Sequence, residues 1–161
     1  MKMTGEYEIP QDIYDRIWEL MISIVNASGA DDHTMVAVFT DQLLDYCEEQ
    51  TAAGHGSGFI WEAAGDMVDE PQEKMKLYQR ALGYAIRNRE PTQTLLCEIG
   101  ELLAAGGDLE NARLHFENAR GKAIERNDAE TEGRAVALSI QLEHSRDSEE
   151  NQLSHPFPRR F

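Results

Sequence analysis

The stretch from Leu95 to Ala119, LLCEIGELLAAGGDLENARLHFENA, predicts two helices joined by a tight turn. Apolar or small residues recur every three or four positions on both sides of Gly106-Gly107, which is the spacing of one face of an α-helix. The residues in this pattern are Leu96, Ile99, Gly100, Leu103, Leu109, Ala112, Phe116 and Ala119. Because the turn is short, the two helices must fold back antiparallel, and the small residues allow them to approach closely.

This arrangement resembles the tetratricopeptide repeat, a unit of about 34 residues in which a large residue, a Leu-Gly pair, a turn glycine and an Ala–aromatic–Ala series recur. The matching residues here are Leu96, Ile99, Gly100, Leu103, Gly107, Ala112, Phe116 and Ala119. The chain departs from the family pattern at Ile124, where the family has a proline. The resemblance implies a helical stack whose groove is lined mainly by the first helix of each hairpin, here helices one, three and five.

A weaker copy of the pattern lies upstream. Trp61, Gly65 and Val68 precede Leu96, Gly100 and Leu103 by 35 positions. A second group of upstream residues lies 38 positions before its counterparts. The group is Tyr78, Ala81, Gly83, Ala85 and Ile86, and the counterparts are Phe116, Ala119, Gly121, Ala123 and Ile124. The difference in offset means that the upstream turn, near Glu70-Pro71, is three residues shorter. Lys74 replaces the small Ala112, so we expect a poorer contact there.

Helical spacing and turn residues predict seven helices and no strand. We expect the helices at about 11–27, 32–51, 58–69, 71–88, 92–105, 108–126 and 128–145. The predicted fold class is all-α: a short right-handed α-solenoid of about three helical hairpins plus a C-terminal capping helix, covering residues 11–145. Residues 1–10 are expected to be a frayed N-terminus and residues 146–161 a disordered tail.

Helix starts and connections have their own signals. Asp31 or Asp32 is expected to cap helix two, Asp108 helix six, and Asn127 with Glu130 helix seven. The glycine-rich segment 54–58 lacks the Lys-Ser/Thr that follows a phosphate-binding loop, so it predicts a flexible connection between hairpins.

Helix one has an unusually wide apolar surface. Its first apolar face contains Ile13, Ile17, Leu20 and Ile24, and beside that face lie Tyr14, Trp18, Met21 and Val25. A helix that is apolar over so much of its circumference is expected to pack on two sides.

Length and composition favour one cytoplasmic domain. The chain has 161 residues, 41% of them hydrophobic, and no apolar run near the length of a membrane span. Met1 to Pro10 lacks the basic and then apolar pattern of a secretory signal. Cys47 and Cys97 are expected to be buried reduced thiols, since a bridge would need their Cα atoms within about 7 Å.

Negative charge is concentrated in the first part of the chain. Residues 1–70 contain 15 acidic and two basic residues, whereas residues 71–161 contain 15 acidic and 13 basic residues. Such a surface repels nucleic acid and attracts basic proteins. The alternative is a solvated acidic surface that only improves solubility.

The sequence shows no pattern typical of an enzyme, a cofactor or a metal site. The five histidines have no partner histidine at metal-ligand spacing, and neither a Cys-x-x-Cys pair nor a nucleophile elbow is present. Asp31-Asp32-His33 is better explained as a helix cap, and Asp12, Asp15 and Glu19 as a solvated helix face.

We therefore expect a non-enzymatic protein-binding module: an acidic inhibitor, immunity-type protein or adaptor that masks a basic toxin, cargo or effector. Bacterial immunity proteins that neutralise nuclease toxins are often small and acidic for this reason. The alternatives are a secretion-type chaperone that binds cargo in its groove and a peptide-responsive regulatory module. We expect neither nucleic acid nor membrane as a partner. The candidate partner-binding residues are Asp41, Asp45, Glu48, Glu49, Trp61, Glu62, Asp66 and Asp69.

Overall fold

The computed structural model describes residues 8–153, and over that range it contains seven α-helices and no strand. The all-α expectation is confirmed. The helices are α1 (Gln11–Gly29), α2 (His33–Gln50), α3 (Gly58–Asp66), α4 (Pro71–Asn88), α5 (Gln93–Ala105), α6 (Leu109–Glu125) and α7 (Ala129–Leu153). None of the helices in the described range is both long enough and apolar enough to cross a membrane.

The chain divides into two compact units after Leu95, near the start of α5. In the first unit α1 packs on α2, and α3 packs on α4. Its fully buried side chains include Ile17, Leu43, Trp61 and Tyr78. In the second unit α6 packs on α7 around a core of Ala112, Phe116 and Leu142.

Short polar side chains begin several helices, as expected. The carboxylate of Asp32 accepts a hydrogen bond from the Met35 amide at 3.0 Å, and that of Asp108 accepts one from the Asn111 amide at 3.3 Å. The predicted capping pair of α7, Asn127 with Glu130, is wrong. Asp128 accepts from the Thr131 amide, and Asn127 occupies the preceding turn at φ 56°.

The connection between α2 and α3 is packed at the end that leads into α3. The chain leaves α2 through a π-helical turn, Thr51–His55, and Gly54 takes the left-handed conformation at φ 89°. Ser57 is fully buried and its hydroxyl accepts from the Ile60 amide. A Cβ added to Gly58 would lie 2.8 Å from the Cβ of Ala85, so this glycine permits close approach to α4. The expected connection exists: residues 52–55 are exposed, whereas Ser57 and Gly58 at its end are packed rather than loose.

Two side chains at the C-terminal end of α4 and just beyond it, Asn88 and Glu90, hold this connection from the other side. The Glu90 carboxylate accepts from the Gly58 amide at 2.8 Å, and the Asn88 amide donates to the Gly56 carbonyl at 3.0 Å. The first of these bonds satisfies a backbone N–H at the start of α3 that has no partner within the helix.

The last helix is longer than the sequence pattern indicated. α7 continues to Leu153, so residues 146–153 are helical rather than part of a disordered tail. This segment contains good helix formers such as Glu149 and Glu150, and no glycine or proline interrupts it. The rest of the predicted tail, 154–161, and most of the predicted frayed N-terminus, 1–7, lie outside the described residues.

In two hairpins an aromatic ring lies against a glycine of the facing helix. A Cβ built on Gly65 would meet the Tyr78 ring at 2.5 Å, and one built on Gly100 would overlap the ring of Phe116. Both rings are buried. The absence of a side chain at the glycine makes room for the ring, and therefore sets how closely the two helices pack.

Replacing Gly100 with Leu is expected to lower the free energy of unfolding by about 1–3 kcal/mol, because the new side chain must displace Phe116. Gly121 in α6 is the matched control, since a Cβ there meets nothing within 4 Å. Gly121→Leu should raise stability by about 0.5–1 kcal/mol through helix propensity. Urea denaturation of both variants measures the difference. Equal free energies of unfolding for the two variants would contradict the claim that the Phe116 ring excludes a side chain at position 100.

Both cysteines are buried and unbridged, as expected. Burial raises the pKa of Cys47 from about 9 to about 12 and that of Cys97 to about 11. The Sγ of Cys47 donates a hydrogen bond to the Ile60 carbonyl at 3.3 Å.

Neither thiol should react with a disulfide reagent in the folded protein at pH 8, whereas two thiols per chain should react in guanidinium chloride. Since the pKa values of both thiols are raised in the folded protein, the buried neutral thiols contribute to the free energy of unfolding below about pH 9. This contribution is lost as the pH rises toward 11–12. Fast labelling of the native protein would show that one thiol is accessible.

Candidate partner-binding surface

The outer face of α2 carries three exposed carboxylates, which we call the acidic ridge: Asp41, Asp45 and Glu49. They follow one another at four-residue spacing, on the side of the helix opposite the buried Leu43 and Cys47. Among residues 8–153, no lysine or arginine forms an ion pair with any of the three. The ridge is therefore available to a cationic partner.

Glu48 belongs to a contact inside the protein. Its carboxylate accepts two hydrogen bonds from the Arg80 guanidinium, at 2.6 and 2.9 Å, which hold the pKa of Glu48 below its usual value. The Arg80 guanidinium lies 3.6 Å above the centre of the Trp61 ring. The indole N–H donates to the Thr51 hydroxyl at 3.1 Å. This chain of contacts joins α2, α3 and α4.

Trp61 is only 1% exposed, so it belongs to the core. Its burial leaves it inaccessible to a partner in this structure, although the sequence placed it among the candidate partner-binding residues. The helical period assigned Trp61 to an apolar face, but it does not tell whether a neighbouring helix covers that face. Here Arg80 and Thr51 cover it.

The acidic residues of α3 mostly hold neighbouring helices. The Thr94 hydroxyl donates to the Glu62 carboxylate at 3.0 Å, and the Tyr78 hydroxyl donates to the Asp66 carboxylate at 2.7 Å. Asp69, in the turn after α3, is exposed. Of the eight candidate residues, the structure therefore groups only the three of the ridge as one exposed charged surface.

Sequence reasoning missed an exposed row of large apolar residues on α1. We call it the apolar stripe, and it consists of Tyr14, Trp18, Ile22 and Val25. These side chains are between 39% and 58% exposed. The opposite face of α1 is buried, so the helix packs on one broad side and not on both sides as expected. The wide apolar surface of this helix was the sequence signal, but it was assigned to the core.

One end of the apolar stripe is held in place by a second aromatic residue. The rings of Tyr14 and Phe59 stack with centroids 5.2 Å apart and planes 17° apart, and Trp18 lies 6.2 Å from Tyr14 in a tilted arrangement. Next to them a shallow hollow is lined by Tyr14, Trp18 and Ile22 of the stripe and by Asp15, Glu19 and Ser23. Stacking thus fixes the Tyr14 end of the stripe, and the carboxylates of Asp15 and Glu19 form a border along its edge.

The acidic edge of α1 approaches that of α2 around Tyr46. Burial raises the pKa of Tyr46, and the nearby carboxylates of Asp12 and Glu49 raise it further, while Arg16 opposes them. Asp15 accepts a hydrogen bond from the Gln11 side chain, and Glu19 forms an exposed ion pair with Arg16. The hairpin therefore presents carboxylates from both helices.

The second unit neutralises much of its own charge. Arg113 pairs with Glu110 and Glu117 at 2.6 and 2.5 Å, and Arg134 pairs with Glu98 and Glu101. These four carboxylates are therefore paired within the unit, unlike the three of the acidic ridge. Within the described part of the chain, no three His, Cys, Asp or Glu side chains are grouped so that they could hold a metal ion.

Comparison of the chain with family models, curated proteins and solved structures finds no match.

Glu48→Gln should lower the free energy of unfolding at pH 7 by up to about 1 kcal/mol, because the Arg80 ion pair is partly exposed. Asp45→Asn, which removes an exposed carboxylate without an ion pair, should change it by less than about 0.5 kcal/mol. Since the folded pKa of Glu48 is lowered, its contribution is present above the ordinary pKa and is lost as the pH falls through the folded value. Urea titrations at pH 7 and pH 3 test this. Equal effects of the two variants at pH 7 would contradict the assignment of Glu48 to a stabilising contact with Arg80.

Proposed function

We propose that this protein is a non-enzymatic binding module that masks a basic partner protein, as an acidic inhibitor, an immunity-type protein or an adaptor does. The acidic ridge of α2 is the observation that carries the proposal. Its three carboxylates are exposed, evenly spaced and without a basic partner among the described residues.

Electrostatics explains why such a ridge suits a cationic surface. Like charges at four-residue spacing destabilise a helix by a few tenths of a kcal/mol per pair, and a cationic partner relieves that repulsion. Opposite charges on two proteins also accelerate their encounter, and salt screens this effect. A buried hydrophobic site is not needed for this part of recognition.

We also propose that α3 to α6 are two tetratricopeptide-like repeats. The glycine–aromatic contact recurs in both hairpins, with Gly100 35 positions after Gly65 and Phe116 38 positions after Tyr78. In that family such repeats stack and present a binding surface to another protein.

A secretion-type chaperone is the second candidate, and the apolar stripe of α1 favours it. A chaperone of this kind holds an apolar segment of an unfolded cargo, whereas an inhibitor binds a folded basic protein. The two candidates differ in their response to salt, since apolar burial is not weakened by added salt as ion pairing is.

Reversal of the ridge, Asp41, Asp45 and Glu49 to Lys, should abolish capture of a basic protein by the tagged chain in an extract of its own cells. The matched control reverses three exposed acids of α7, Glu143, Asp147 and Glu149, which changes the net charge equally. Mass spectrometry identifies the captured protein. With that protein purified, ridge reversal should slow association at least tenfold at low salt.

Two results would contradict the proposal. One is an association rate that is unaffected by ridge reversal or is indifferent to salt. The other is an equal loss of capture in the control variant, which would mean that net charge alone governs binding. If the captured protein binds only when unfolded, and binds equally at high salt, the chaperone alternative is correct.

A further inference from the structure

The apolar stripe of α1 has the dimensions of a site for another helix. From Tyr14 to Val25 the helix rises about 17 Å at 1.5 Å per residue. The stripe is a single ridge with helical spacing, and ridges of this kind pack into the grooves of a second helix. Large apolar side chains that are contiguous and exposed are typical of interaction surfaces, unlike single exposed ones.

The border of the stripe determines the chemistry of its occupant. Asp15 and Glu19 lie beside Trp18 and Ile22 and line the same hollow. Glu19 also pairs with Arg16 at 2.8 Å, but both side chains are exposed, so a cation of the occupant can share that carboxylate. A second copy of this chain would bring identical carboxylates together, and each copy has a net charge of −15. Like-charge contacts of this kind disfavour self-association. Cationic side chains on the occupant would meet the border instead.

We propose that the apolar stripe docks one amphipathic helix of the basic partner. The apolar residues of that helix recur every three or four positions, and its Lys or Arg residues lie beside them and pair with Asp15 and Glu19. Trp18, at the centre of the stripe, is the expected hot spot, since partly exposed tryptophans at interface centres often dominate binding. This inference rests on the proposed function and adds the site and the form of the partner.

The two tryptophans make a direct measurement feasible. Trp18 is 44% exposed, whereas Trp61 is 1% exposed. Acrylamide should therefore quench Trp18 and leave Trp61 largely unaffected. The probe is a synthetic 18-residue peptide of leucine and lysine in helical spacing, without aromatic residues, so that all tryptophan emission comes from the protein. A peptide of the same composition in scrambled order is the control.

Binding of the helical peptide should shift tryptophan emission to shorter wavelength and protect it from acrylamide. The scrambled peptide should do neither. Trp18→Ala should weaken binding of the labelled helical peptide at least tenfold, measured by fluorescence anisotropy. Ile124→Ala removes another exposed apolar residue and should leave affinity unchanged. Asp15→Lys with Glu19→Lys should weaken binding, whereas the α7 charge-reversal control should not. Circular dichroism verifies that each variant is folded.

Several outcomes would overturn the inference. Equal binding of the scrambled peptide would mean that charge alone attracts it. Sedimentation as a dimer with Trp18 shielded would identify a second copy as the occupant. Greater quenching of Trp18 after removal of residues 154–161, which contain Phe157, Arg159, Arg160 and Phe161, would identify the chain's own C-terminus.

Binding experiments with the captured natural partner distinguish this inference from the proposed function. If the captured basic protein binds Trp18→Ala normally but fails to bind the ridge reversal, the docking inference is wrong and the proposed function stands. If ridge reversal leaves its binding intact, the proposed function fails whatever the peptide does.

Discussion

The packing of an aromatic ring against a glycine is the contact on which two of the hairpins depend. Gly65 makes room for Tyr78 between α3 and α4, and Gly100 makes room for Phe116 between α5 and α6. With any larger residue at the glycine, the ring and the helix that carries it would have to move away. Close approach of α3 and α4 in turn brings Gly58 against Ala85 of α4, so the end of the glycine-rich segment is packed.

The same carboxylate type has two roles in the first unit. Glu48, Glu62 and Asp66 each accept a hydrogen bond from a side chain of another helix. Asp41, Asp45 and Glu49 do not form ion pairs in the described range, although they lie on the same helix as Glu48. Position on the helix decides the role: Glu48 lies on the side that Arg80 reaches, and the ridge lies on the outer side. A sequence that is acidic throughout this region therefore leaves fewer carboxylates free of contacts within the protein than its charge count suggests.

The helices themselves could be predicted from the sequence, because glycine, proline and capping residues mark their ends. Asp32 and Asp108 show this, and Pro71 begins α4. The neighbours of an apolar face could not be predicted, because the helical period is the same whether or not another helix covers that face. For this reason the sequence suggests a partner-binding role for Trp61, which is buried, and a packed position for Trp18, which is exposed. The extension of α7 was missed for a related reason, since a polar helix without a buried face has no period to detect.

Hydrogen–deuterium exchange on the complex with the captured basic protein tests the central claim most directly, namely that the first hairpin is the binding surface. The account predicts slower exchange of the amides of α1 (Gln11–Gly29) and of the outer turns of α2 around Asp41, Asp45 and Glu49. Exchange in α6 and α7 should be the same with and without the partner. Protection confined to residues 96–153, with α1 and α2 unchanged, would contradict the account.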